Sequence, residues 1–183
     1  VARDLLRPVD LYGLWLSRTL AWKSAAVAMR FLPIMLFSAF VLPLVGMGDI
    51  ALSAPAGWRG FLAFAAMLVP GLLSSAALAV GVSCFQFRQV SAAGASAMAA
   101  ALSSFFSGVI VPLPLLSGAL ERVASILPYR GLGDLPFRFW LGQLPLSALP
   151  YAFAFQSAWA LAIMAAGMAF ARSRLGSLAI AGG

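Results

Sequence analysis

Residues 60–85, GFLAFAAMLVPGLLSSAALAVGVSCF, contain no Asp, Glu, Lys or Arg. As a helix, a stretch of this length would be about 39 Å long, which exceeds the roughly 30 Å of a bilayer's hydrocarbon core. In a water-soluble domain, so long an uncharged stretch would leave apolar surface without polar cover. The stretch therefore predicts a membrane-spanning helix, and it decides the class of fold.

Similar stretches lie on both sides of residues 60–85. Of all residues, 63% are hydrophobic and 9% are charged, and the mean hydropathy is +1.00. These values predict an all-α, polytopic membrane helix bundle of about four transmembrane helices, forming one domain over residues 1–183. We predict spans at residues 25–48, 60–85, 91–111 and 151–171.

The segment before the first predicted span has a different pattern. In residues 8–22, apolar residues recur at spacings of three and four, as at Val9, Tyr12 and Leu16, which predicts an amphipathic helix lying at a membrane surface. Basic residues are more frequent on this side of the predicted spans than on the other, so the positive-inside rule places both termini in the cytoplasm. We expect residues 1–24 to form a cytoplasmic interfacial segment.

Proline dominates residues 112–150, which hold six of the eleven prolines in the chain. Because proline lacks an amide donor and interrupts helices, we expect no single span to cross here. The apolar piece at residues 115–127 is too short to cross, which predicts an outer re-entrant or interfacial helix.

The third predicted span is rich in small residues, which allow helices to pack closely in lipid. We therefore expect this span in the centre of the bundle. A central helix of a transporter also lines its path, so the candidate residues for a substrate path are Ser103, Ser104 and Ser107.

The chain lacks the residues that most enzymatic sites need. It has no histidine, one cysteine and one lysine, Lys23, which follows no glycine-rich turn. These facts argue against Ser-His or Cys-His nucleophiles, the usual zinc sites and a Walker motif. We predict no catalytic, cofactor-binding or metal-binding residues and no enzymatic activity in this chain. The net charge of +7 is scattered at predicted membrane borders, so nucleic-acid binding is not expected.

Residues 131–134, GLGD, match the GxGD string of intramembrane aspartyl proteases. That chemistry needs two facing aspartates inside the membrane, and none of the predicted spans contains a carboxylate. Two glycines and an aspartate are ordinary turn residues, so we expect a loop turn here.

Arg30 is the only charged residue within the predicted spans. It is expected near one end of its span, from where its side chain can snorkel to the headgroups. Proton- and sodium-driven carriers usually place ionisable groups at mid-membrane. Energy for any transport is therefore expected to come from another subunit.

Several short pieces occur in a recognisable order along nearly the whole chain. They are Leu5-Leu6-Arg7-Pro8-Val9, FSGVIVPL at residues 106–113, Leu127-Pro128-Tyr129, Asp134-Leu135-Pro136, Leu141-Gly142, Gln156-Ser157-Ala158-Trp159 and the final Gly182-Gly183. In this order and spacing the chain resembles the ABC-2 type permeases, the membrane subunits of bacterial ABC transporters.

The resemblance implies a multi-pass permease of the bacterial plasma (inner) membrane, usually an exporter. Its implied partners are membrane lipid, a second permease subunit in a homo- or heterodimer and ATP-binding cassette ATPase subunits, which hydrolyse ATP. It also implies six spans, so the first two are expected upstream of Val1. The residues that it implies for coupling to the ATPase are Leu5, Leu6, Arg7, Pro8, Asp10 and Tyr12.

Two other functions remain open from the sequence. The chain could be an accessory or structural membrane subunit without a transport path. It could also be a secondary carrier, which a carboxylate in spans upstream of Val1 would favour. The sequence does not indicate which substrate is carried.

Overall fold

The computed structural model describes residues 10–86 and 92–181, and these residues form an all-α helical bundle without strands. This confirms the predicted fold class. The helices are α1 (Leu11–Leu36), α2 (Gly57–Gln86), α3 (Ala92–Phe106), α4 (Ala119–Ile126), α5 (Asp134–Trp140) and α6 (Leu149–Ala181).

Helix α1 starts at an Asp10 cap, whose carboxylate accepts a hydrogen bond from the amide of Gly13 at 3.1 Å. It then continues through a π-helical turn, Phe37–Val41, so that one apolar helix covers Leu11–Leu44. The prediction of a separate interfacial helix before the first span is therefore wrong for the described residues. No glycine or proline lies near the expected break between residues 22 and 25, so nothing there interrupts helical hydrogen bonding.

Helix α2 lies at the centre of the bundle. Its residues contact α1 through the stacked rings of Phe31 and Phe64, whose centroids are 5.7 Å apart. They contact α6 near both ends, where Ala63 packs with Ala152 and Cys84 with Ala171. The prediction that the third span occupies the centre is therefore wrong.

Helix α3 is shorter than the predicted span at residues 91–111. It has 15 described residues and would be about 22 Å long, less than a bilayer core. The chain leaves the helix at Gly108, whose φ of +81° is easily reached only by glycine. Among the described residues, three helices are long and apolar enough to span a membrane: Leu11–Leu44, Gly57–Cys84 and Leu146–Ser173.

The proline-rich segment folds into short helices that pack against α2. As predicted, no single span crosses here, and the only α-helix formed within residues 115–127 is α4. Leu135 and Phe139 of α5 are buried against Met67 of α2. The 3₁₀ turn Pro128–Leu132 reaches Gly71, in the middle of α2. The segment thus enters the bundle to about half the length of α2, which is the shape expected of a re-entrant segment.

Candidate functional site

A cavity of about 750 Å³ lies between α1, α2 and α3. We call it the cationic cavity, because Lys23 and Arg30 of α1 line it and Leu132 borders it from the 3₁₀ turn. Its remaining polar lining consists of serines from α2 and α3, namely Ser75, Ser83, Ser96, Ser103 and Ser104.

Helical periodicity brings these side chains to the cavity. Lys23 and Arg30 are seven residues apart on α1, which is two helical turns, so they lie on one face. Ser96, Ser103 and the adjacent Ser104 share a face of α3 for the same reason. The sequence analysis predicted Ser103 and Ser104 as lining residues, and the structure places both beside two cations on a different helix.

The charge of the cavity is not balanced by the residues that line it. No Asp or Glu is among its described lining residues. The ammonium of Lys23 donates a hydrogen bond to the hydroxyl of Ser75 at 2.9 Å. Within the part of the chain that the structure describes, the ion pairs involve neither Lys23 nor Arg30.

Arg30 lies far from both ends of its helix. Because α1 begins at Leu11 and the apolar helix continues to Leu44, Arg30 is about 28 Å from one end and about 21 Å from the other. At about 51 Å the helix is longer than a bilayer core, so the position of Arg30 near the end of a span stays a prediction. Arg30 is exposed and Lys23 is half-buried, and charged residues of apolar spans usually face a cavity or a polar partner.

A second polar region, which we call the glutamine cluster, consists of Gln156, Ser74, Pro128 and Gly131. The side-chain amide of Gln156 donates to the Ser74 hydroxyl at 2.9 Å and to the Pro128 carbonyl at 3.0 Å. Ser74 in turn donates to the Pro70 carbonyl at 2.8 Å. Both polar side chains are 0% exposed. The sequence analysis named Gln156 only as part of the resemblance, although an amide in an otherwise uncharged span is a signal of a buried polar contact.

Glycines allow the backbones in the glutamine cluster to approach closely. A Cβ on Gly71 would stand 2.7 Å from the carbonyl oxygen of Gly131, and a Cβ on Gly131 would overlap the side chain of Gln156. The GLGD string, predicted as a loop turn, covers the end of the 3₁₀ turn Pro128–Leu132, a turn at Gly133 and the first residue of α5. Its first glycine, however, is buried in the bundle and packs between α2 and α6.

Asp134 is a nearly buried carboxylate that the sequence analysis assigned only to a turn. Its side chain is 6% exposed, and its Oδ2 lies 3.1 Å from Nε of Arg130 and 3.8 Å from a terminal nitrogen of Arg138. The spacing of four residues on each side was the available signal. Ser107 accepts a hydrogen bond at its carbonyl from the Asp134 amide at 2.9 Å. It lines a different cavity, of about 600 Å³, with Asp134 and Arg138, so it is separated from Ser103 and Ser104.

The predicted ATPase-coupling residues are only partly described. Leu5, Leu6, Arg7 and Pro8 lie outside the described residues. Asp10 caps α1. Tyr12 is 2% exposed and packs with Val80, Cys84 and Ala171, which joins the start of α1 to the C-terminal halves of α2 and α6.

The described residues contain no group of three His, Cys, Asp or Glu that could hold a metal ion. The arrangement of the cationic cavity is instead suited to binding, because it combines charge, hydroxyl donors and space. No family model matches the chain, and neither a curated protein nor a solved structure matches it.

Proposed function

We propose that the chain is the transmembrane permease subunit of an ATP-driven ABC transporter, an exporter energised by a separate ATPase subunit. The observation that carries this proposal is the cationic cavity, which two charged residues of the apolar helix α1 line together. Charged residues in apolar spans are costly and often mark substrate pathways. The order of sequence pieces described above supports the particular family.

Helix α1 supplies a route for coupling. It runs without interruption from the Asp10 cap past Lys23 and Arg30, so a displacement of the basic N-terminal segment would move both cations. Pro33 and the π-helical turn Phe37–Val41 follow these cations. Such irregular turns are frequent at bends, and this one would let the first part of α1 move separately from its end.

The distribution of basic residues supports a cytoplasmic position for the start of α1. Tyr12 contacts Cys84 and Ala171, so the start of α1 and the late parts of α2 and α6 share one end of the bundle. Most of the basic residues lie near this end in the sequence, including Arg7, Arg18, Arg88, Arg172 and Arg174. We infer from the positive-inside rule that both termini are cytoplasmic, in a multi-pass protein of the bacterial plasma membrane.

A secondary carrier is the second candidate, and Asp134 is the observation that favours it. A nearly buried carboxylate beside a cavity could carry a coupling proton. Its two arginine partners oppose this role, because they already hold the carboxylate in ion pairs within the segment between α3 and α6. We therefore prefer the permease, in which Asp134 serves to hold the re-entrant segment together.

Affinity purification of the full-length gene product from detergent-solubilised membranes tests the proposal. Mass spectrometry of the co-purified proteins should identify an ATPase that carries a Walker motif, together with this chain or a second permease subunit. Reproducible purification without any ATPase would contradict the proposal. Transport driven by a proton gradient and abolished by Asp134→Asn would establish the secondary carrier instead.

A further inference from the structure

The cationic cavity has the charge and the hydrogen-bond donors of an anion-binding site. Lys23 and Arg30 face it together, serine hydroxyls surround them, and no acidic residue is among its described lining residues. Leaving two cations among apolar helices without a counterion costs free energy. A bound anion would remove this cost, whereas a neutral or cationic ligand would not.

We propose that the cationic cavity binds the phosphate group of an anionic amphiphile, a lipid-like molecule that the transporter exports. This inference rests on the proposed function and names the substrate class of its path. A phosphate group offers several acceptor oxygens, which suit ammonium, guanidinium and hydroxyl donors at once. Lys23 and Arg30 lie about 10 Å apart along the helix axis, and their long side chains can converge on one group that carries more than a single charge.

The surroundings of the cavity fit the apolar part of such a molecule. Leu78, Val82 and Ala99 line the cationic cavity and also a neighbouring cavity of about 610 Å³. The second cavity is apolar and extends to Ile163 and Phe170 of α6. A hydrocarbon tail can therefore lie beside the headgroup. Basic pockets between transmembrane helices are a known form of lipid headgroup site.

Isothermal titration calorimetry on the full-length protein in neutral detergent tests the inference. The probes are dioctanoyl phosphatidic acid, dioctanoyl phosphatidylcholine, whose choline offsets the phosphate charge, and inorganic phosphate. We expect phosphatidic acid to bind about tenfold or more tightly than phosphatidylcholine, as the loss of one charge-assisted contact would predict. It should also bind about tenfold or more tightly than inorganic phosphate, which has no hydrocarbon tail to bury in the apolar cavity. Replacing both cations, by Lys23→Gln with Arg30→Gln, should weaken this binding by at least about tenfold.

Two control variants separate recognition from misfolding. Arg59→Gln removes a cation that lies over the Trp58 ring and does not line the cavity, and it should leave binding unchanged. Lys23→Arg keeps the charge and should retain binding. Both controls and the double variant are compared by gel filtration, so that an aggregated protein is recognised.

Three results would overturn the inference in whole or in part. Equal affinity for phosphatidic acid and phosphatidylcholine would refute phosphate recognition in this cavity. An equal loss of phosphatidic acid affinity in Arg59→Gln and in the double variant would refute it as well. Inorganic phosphate binding as tightly as phosphatidic acid would refute the amphiphile and identify a soluble phosphate as the source. The calorimetric assay needs no ATPase. If phosphatidic acid does not bind but an ATPase co-purifies with the chain, only this inference is refuted. Phosphatidic acid binding without any ATPase partner refutes only the proposed function.

Discussion

The glutamine cluster and the cationic cavity are both polar regions inside an apolar bundle, and they differ in how closely the helices approach. Around Gln156 the backbones meet at glycines, and the amide nitrogen donates to two acceptors. Around Lys23 and Arg30 the helices leave about 750 Å³ open, and the charges lack acidic partners among the lining residues. The amide oxygen of Gln156 is buried without a hydrogen-bond partner, but the two bonds of the amide nitrogen hold the helices together, whereas charge kept beside open space indicates a ligand. The residues of the glutamine cluster therefore stabilise the fold, and those of the cationic cavity are placed to bind a ligand.

The largest effect is expected when the close backbone contact in the glutamine cluster is broken. In Gly71→Val the new side chain would meet the Gly131 carbonyl, which should cost about 3 kcal/mol of unfolding free energy. Gly81→Val, in the same helix, is the matched control because nothing lies within 4 Å of its added Cβ. Gel filtration after stepwise heating should show a lower unfolding temperature for Gly71→Val alone. An equal decrease of the unfolding temperature in both variants would contradict a stabilising role for the contact between Gly71 and Gly131.

A somewhat smaller effect is expected from Asp134→Asn. The substitution leaves Arg130 and Arg138 without a carboxylate, and breaking a buried ion pair costs about 3–5 kcal/mol. The arginines are about a quarter exposed, so solvent screening reduces our expectation to about 2 kcal/mol. Glu121→Gln, at an exposed position of α4, serves as the control. Thermal unfolding that is the same in both variants would contradict a structural role for Asp134.

Removing the amide of the glutamine cluster should have the next effect. Gln156→Leu keeps a side chain of similar volume but leaves the buried Pro128 carbonyl without its donor. An unsatisfied buried acceptor costs about 1–3 kcal/mol, so the unfolding temperature should fall by about 2–4 °C for each kcal/mol. Ser157→Ala, at the next position, should change it little. An unchanged unfolding temperature in Gln156→Leu would mean that water replaces the lost donor.

The smallest effect on stability is expected at the cationic cavity. Lys23→Gln and Arg30→Gln together remove two cations that have no described acidic partner. We expect the unfolding temperature to stay within about 4 °C of the starting protein, because the lost Ser75 hydrogen bond is worth only about 1 kcal/mol. A large drop would place the cations among the structural residues and would end the distinction between the two regions.

The sequence was sufficient for the helical class and for the approximate positions of the long apolar helices, because uncharged length and composition are local properties. It did not predict which helix lies at the centre of the bundle. Counting small residues favoured the third span, but α2 makes a close backbone contact between Gly71 and Gly131, which lie 60 positions apart. The continuity of α1 was missed because amphipathic spacing and apolar composition were assigned to two helices, although nothing between them interrupts the backbone.

The candidate site was predictable only in part. Ser103 and Ser104 were candidates because the third predicted span is rich in small residues and was expected at the centre of the bundle. Their position beside Lys23 and Arg30 depends on how α1 and α3 pack around α2, which no local pattern reports. Asp134 was assigned to a turn because its sequence neighbours are turn residues, while its burial comes from the packing of α5 against α2.

The central claim is that ATP hydrolysis in a partner moves α1 relative to α3 across the cationic cavity. It is tested most directly by a distance measurement between spin labels at Val27→Cys and Met98→Cys, both exposed positions, after Cys84→Ser removes the native thiol. The measurement is made on the protein purified with its ATPase, with and without trapped nucleotide. The account predicts that nucleotide shifts the distance by about 2 Å or more. The same distance in both states, or the absence of any ATPase to trap, would contradict it.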